Sequence, residues 1–184
     1  MGNKLKILSK SPSPKIMFLS VDPIEREYQY ENFKDEYGYD IKDYNDICTK
    51  MYYTNPKHFI VIMSDWVTIF RYKGITHTIS IKPGVVLDGA SIPFSFGEVS
   101  RLNQYTLEST IVHDILMKLA KDSLRDINDI FYGLLDSSKV KVGILTEWIY
   151  KLGVRFPAAK RAYENHTIHA GWWGDTLIYT REKM

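Results

Sequence analysis

Cysteine is almost absent: Cys48 stands alone. No disulfide can form within the chain, and no thiolate cluster can hold zinc. Long apolar runs are missing too. Nothing approaches the roughly 18–20 apolar residues a membrane-crossing helix needs, so no membrane span is expected. The start, Met1-Gly2-Asn3-Lys4-Leu5-Lys6, lacks the apolar stretch of a secretory leader. Lys6 also stands where the myristoylation pattern asks for Ser or Thr. Neither charge sign dominates: 24 Lys and Arg face 22 Asp and Glu, for a net charge of +2. That balance offers no basic stripe for sequence-specific nucleic acid. A Gly-rich phosphate loop, a GxSxG elbow, an HExxH pair and an EF-hand are all missing, so no cofactor is expected.

What is present is enough to build a core. Of 184 residues, 45% are hydrophobic. A domain of that length buries about 70% of the surface its unfolded chain exposes, without help from disulfides or a structural metal. One domain is expected.

Residues 1–22 read as an extended arm. Ser9, Ser11, Pro12, Ser13 and Pro14 break helix and remove backbone donors. Lys4, Lys6, Lys10 and Lys15 make the arm basic, with no acidic residue among the first fifteen. Ile16 to Leu19 offers a short strand or an apolar anchor, and the arm is expected to order only against a neighbour. Residues 23–57 form a Tyr- and acid-rich insertion with some helix. Residues 58–165 form the core domain, and 166–184 a C-terminal tail.

Within the core, His58 to Met63, Trp66 to Tyr72 and Thr76 to Ile81 have the β-branched or alternating patterns of strands. Ser64-Asp65 and Lys73-Gly74 supply turns, so the three strands predict an antiparallel meander. Residues 83–101 are a loop punctuated by Pro83-Gly84, Asp88-Gly89, Pro93 and Gly97. A loop that long is often functional. Apolar faces then repeat at helical spacing around Ile111, Ile115 and Leu119, around Ile127, Ile130 and Leu134, and around Ile144, Trp148 and Leu152. Ser123 suits the N-cap of the second helix. Pro157 suits the first turn of a fourth. Leu177-Ile178-Tyr179 reads as a last strand. Strands followed by helices give an α+β fold: an arm and an antiparallel meander, then a cluster of three to four helices.

Six polar residues are candidates for chemistry: Asp88, Ser91, His113, Asp114, Arg125 and Asp129. Asp88 and Ser91 lie in the segment Val85 to Pro93. There both serve as hydrogen-bonding staples of the loop, or Asp88 serves as a metal ligand or general base. His113 and Asp114 fall on opposite borders of their helix's apolar face, so neither is expected deep in the core. An adjacent His-Asp pair can ligate a metal, or the carboxylate can orient the imidazole. Arg125 and Asp129, four apart, are expected to pair on the surface or to reach the His-Asp helix. Asp88, His113, Asp114 and Asp129 together form an oxygen- and nitrogen-rich set suited to Mg²⁺, Mn²⁺ or Zn²⁺.

These segments resemble a phage family known as domain of unknown function 1353. The resemblance rests on Pro83-Gly84 and Asp88-Gly89-Ala90-Ser91-Ile92-Pro93. It rests also on His113-Asp114-Ile115-Leu116, on Arg125 with Asp129-Ile130-Phe131-Tyr132, and on Tyr150 to Arg155. Leu87, Phe94 and Met117 depart from the pattern. The resemblance implies phage origin, often near genes for virion parts, and no particular reaction. The expectation is a virion-associated structural or accessory protein of the tail, neck or head. It would be made in the host cytoplasm and work through contacts with other phage structural proteins in an oligomeric assembly. The alternative is a metal-assisted hydrolase of cell wall or phosphoester substrates, using the four-residue ligand set.

Overall fold

The computed structural model describes residues 5–43, 60–87, 106–137, 164 and 176–183. Its organising feature is alternation. In Trp66–Tyr72 (β4), Trp66, Thr68, Phe70 and Tyr72 are buried and the residues between them half-buried. Ile75–Ile81 (β5) repeats the pattern with His77, Ile79 and Ile81. The two join through Lys73-Gly74, whose φ angles of 49° and 76° are both positive. That geometry is a two-residue turn whose twist matches the flanking strands, and glycine enters it without strain.

Lys6–Lys10 (β1) pairs with β4, and Leu177–Lys183 (β7) pairs with β5, all antiparallel, giving the order β1-β4-β5-β7. A second sheet holds Ile16–Phe18 (β2), Ile60–Ile62 (β3) and Val86–Leu87 (β6) in the order β2-β3-β6. The two sheets share their strands. The β1–β4 register, Ser9 opposite Ile69 and Lys10 opposite Thr68, continues as Ile16 opposite Ile62, with no residue gained or lost on either side. The β4–β5 register likewise continues into β3–β6. Three long strands therefore each bend from one sheet into the other.

The bend explains the Ser-Pro-Ser-Pro stretch. Pro12 and Pro14 have no N–H for a ladder, so regular pairing stops there. Ser11 pins one side of the corner: its N–H donates to Val67 O at 2.9 Å, and its Oγ accepts the Val67 N–H at 2.7 Å. Lys15 pins the other, accepting the Met63 N–H at 2.8 Å. The segment expected to order only against a neighbour thus finds its partner surface in this same chain. Ser13 and Lys10 reach Glu108 at 2.5 and 2.8 Å, and Leu19 is buried.

Three helices cover the sheets among the described residues. Pro23–Tyr37 (α1) starts at Asp22, whose carboxylate accepts the Ile24 and Glu25 N–H groups at 2.8 and 3.3 Å. It ends at Gly38, with φ 78°. Its Tyr30 and Phe33 pack on Met17, Val61 and Val86, the outer face of the second sheet. Phe33 also stacks on Tyr37, whose hydroxyl donates to Met63 O. Gly84, at φ 102° in the bend between β5 and β6, lies against the Tyr39 ring, where any Cβ would overlap it.

Leu107–Leu119 (α2) and Leu124–Ser137 (α3) pack with the main sheet's inner face around Trp66, Phe70, Ile79, Ile111, Ile115 and Ile130. The Ser123 side chain accepts the Asp126 N–H, the cap expected there. Gly133 leaves room for Leu5 to lie against α3.

The α+β class stands, but the wiring differs: Val86–Leu87, expected in a loop, pairs with β3 as strand β6. Of the first two strands expected, Ile60–Ile62 and Trp66–Tyr72 are two halves of one bent strand, and β1 takes the neighbouring place beside β4. The helices expected around residue 148 and after Pro157 lie outside the described residues.

Candidate functional site

α2 differs from the one-faced helix its spacing suggests. Every residue from Ser109 to Lys118 is buried. His113 and Asp114, expected at the borders of the apolar face, are each only 9% exposed. A helical wheel finds the face turned to the sheet, but it does not see that the remaining faces are covered as well.

A buried polar side chain needs partners, and His113 has one that sequence reasoning missed. Its Nε2 lies 3.1 Å from Oδ1 of Asn128 on α3. An amide oxygen only accepts, so Nε2 carries the proton. In the neutral ring Nδ1 is then the acceptor nitrogen, 4.0 Å from Asp114 Oδ1. The imidazole also packs on Phe131, with ring centroids 5.0 Å apart. Asn128 was legible in principle: it lies three residues before Phe131 on one face of α3.

The expected Arg125–Asp129 pair does not form among the described residues. Arg125 is exposed. Asp129 accepts the Tyr72 hydroxyl at 2.9 Å, while Asp126 sits farther from that hydroxyl at 3.4 Å and pairs with Lys73. Burial, reinforced by the bond to Asp129, pushes the Tyr72 phenol up to about 12. Burial works to raise the Asp126 carboxyl, but Lys73 and Ser123 outweigh it and hold it below its ordinary value.

Of the residues proposed as metal ligands, the structure brings His113 and Asp114 together and turns Asp129 towards Tyr72 on the sheet. Asp88 and Ser91 lie outside the described residues. Among the described residues, no group of three or more His, Cys, Asp or Glu side chains is placed to hold a metal ion.

A second polar cluster was not read from the sequence. His77 is 1% exposed, and its ring stacks on Phe70, the residue opposite it on β4, with centroids 4.9 Å apart and planes 7° apart. Its Nδ1 is 2.8 Å from the Tyr179 hydroxyl on β7. That hydroxyl donates to Asp122 Oδ2 at 2.8 Å. Arg181 closes the cluster, with Nε 3.0 Å from Asp122 Oδ1 and one terminal nitrogen 3.1 Å from Lys121 O. The phenol has one proton, and a carboxylate can only accept it. His77 Nδ1 is therefore the donor to Tyr179, and its Nε2 is bare. Burial lowers the His77 pKa below the ordinary 6.5. Asp122 opposes that shift, Arg181 adds to it, and Asp126 opposes it more weakly. Burial and Asp122 raise the Tyr179 phenol. The signal was present: His77 shares the buried parity of β5 with Ile79 and Ile81.

The described helices include none long and apolar enough to cross a membrane. No curated protein and no solved structure matches the chain. The stretch that does match a family model runs from the turn before β4 to beyond the end of α3. It leaves out β1, β2, α1, β3 and β7: residues 64–154 match the family described as protein of unknown function (DUF1353), the family read from the sequence.

Proposed function

We propose that this chain is a virion-associated structural or accessory protein of a bacteriophage, acting at the tail, neck or head through protein–protein contacts. The observation that carries the reading is an apolar patch at the start of α1. Ile24 and Tyr28, one helical turn apart, are 83% and 64% exposed, with Val21 and Phe18 exposed close by. Exposed clusters of large apolar residues mark contact surfaces, since leaving them in water costs solubility. This patch lies outside residues 64–154, the stretch that matches the family. The phage association of the resembled family supports the setting. The shielding of His113 and Asp114 supports a packing role over a reaction at that pair.

Mass spectrometry of purified particles tests the reading. Recovery in fixed ratio to known virion proteins is expected, and recovery only from lysate sinks it. Ile24→Asp combined with Tyr28→Asp should leave the circular dichroism spectrum and melting unchanged but remove the protein from particles.

One observation favours the alternative of a metal-assisted hydrolase. His113 Nδ1 and Asp114 Oδ1, 4.0 Å apart, would offer an ion one nitrogen and one oxygen ligand after a small closing movement. Elemental analysis after mild purification separates the readings. A bound divalent ion lost in His113→Ala favours the hydrolase, whereas metal-free protein indifferent to added Mg²⁺, Mn²⁺ and Zn²⁺ rules it out.

A further inference from the structure

Strand β7 is held in an unusual way. Among the described residues it is an edge strand, paired with β5 alone, and most of its residues are exposed. Its inward-facing Tyr179 and its Arg181 are both fastened to Asp122, in the link between α2 and α3. The fastening continues inward to His77, which is shielded by Phe70 on one side and Tyr179 on the other. His77 and Asp122 lie within the family segment, and Tyr179 and Arg181 lie beyond it.

We propose that β7 is an acid-released latch, closed while His77 is neutral and opened when its imidazole takes a second proton. The reasoning is a hydrogen-bond count. Neutral His77 donates through Nδ1 to Tyr179, and its bare Nε2 needs no donor. Nε2 is buried and has no hydrogen-bond partner among the described residues. Protonation places an N–H there with no acceptor in reach among the described residues, and a buried unmet donor in a cation is far costlier than an unmet lone pair.

The charged and titratable groups around the ring decide whether the cation can stay. From the α2–α3 link, Asp122 Oδ2 is 3.9 Å from Nδ1 and favours it. From β7, Arg181 opposes it, while Tyr179 presents a neutral hydroxyl. From α3, Asp126 favours it weakly and is already engaged by Lys73. From β4, Phe70 supplies no charge. Lys121, over the Tyr179 ring at 5.3 Å, adds a second cation on the outside. Asp122 is thus shared with Arg181, and burial dominates. Of the elements around the ring, β7 buries least core of its own, so it is the one expected to lift and admit water to the charged cluster. Release would uncover the edge of β5, a row of backbone donors and acceptors able to accept another strand.

Hydrogen exchange read by mass spectrometry on the full chain tests this. After correction for the chemical exchange rate, the amides of residues 177–183 should lose at least tenfold protection between pH 7.5 and pH 5, with a midpoint below 6.5. Those of β4 should hold theirs. His77→Gln keeps a neutral donor to Tyr179 and should abolish the pH dependence. If that variant folds poorly, the ring protons of His77 followed by NMR in the unaltered protein serve instead, and their titration midpoint should coincide with release. Protection of β7 that ignores pH, an equal loss in His77→Gln, or loss spread evenly over both sheets would each overturn the proposal. None of these results bears on presence in particles, so the latch stands or falls apart from the virion reading.

Discussion

His113 sits between two helices adjacent in the chain and takes its neighbours from positions 114, 128 and 131. His77 sits on a sheet and takes its neighbours from 70, 122, 179 and 181. The contacts described for the first network are local and lie inside the family segment. The second joins that segment to a strand outside it. The difference teaches where each is vulnerable. A helix–helix hydrogen bond inside a core fails only with the core. A chain of bonds reaching an edge strand fails when that edge opens.

The largest expected effect is at Asp122, which both Tyr179 and Arg181 of β7 bind. Asp122→Ala removes the acceptor of the buried Tyr179 hydroxyl and the partner of Arg181, and should cost about 3 kcal/mol in urea unfolding. A loss below about 1 kcal/mol would mean the second network contributes little. His113→Ala comes next. It leaves Asn128 facing a cavity beside Phe131 and should cost about 2 kcal/mol. A cycle with Asn128→Ala should show the two losses to be non-additive. Thermal melts of His113→Ala and Asp88→Asn sharpen the same point: unchanged melting with lost infectivity would move the His-Asp pair from packing to chemistry.

The third effect is of pH. His77 has a folded pKa below its unfolded value of 6.5, so the unfolded chain binds the proton more readily. Its contribution is complete above pH 6.5 and is lost as pH falls below that, by at most about 1.4 kcal/mol per pH unit. His77→Gln should flatten that part of the unfolding curve, leaving the acid limb from Asp126. That carboxyl stabilises above its ordinary 3.8 and ceases to as pH falls through its depressed folded value. The smallest effect is Tyr72→Phe, about 1 kcal/mol for one hydrogen bond to a carboxylate that keeps some access to water. A larger loss would rank the Tyr72–Asp129 contact with the two histidine networks.

Much of this was legible locally. The alternation through Thr76 to Ile81, the Lys73-Gly74 turn, the Ser123 cap and the strand at Leu177 all follow from neighbours in sequence. What was not legible depends on residues far apart. Pro12 and Pro14 read as a solvated arm because Val67, which pairs with Ser11, lies more than fifty residues away. His113 and Asp114 looked peripheral because a helical wheel reports one face and α2 has none free among its buried turns. His77 was passed over because alternation marks a side as inward without saying that Tyr179 and Asp122 wait there.

The three bent strands also set the reading frame of the molecule. Because one register runs through both sheets, a single residue inserted at Ser11–Lys15, at Met63–Asp65 or at Lys82–Val85 slips the partner sheet by one position. Such a slip turns its inward side chains outward. Those short corners can change in composition but not in length. The stretch between β2 and β3, which carries α1 and its exposed patch, is under no such count. In relatives of this chain, insertions and deletions are expected to gather there, so the exposed patch can be exchanged without disturbing the frame that presents it.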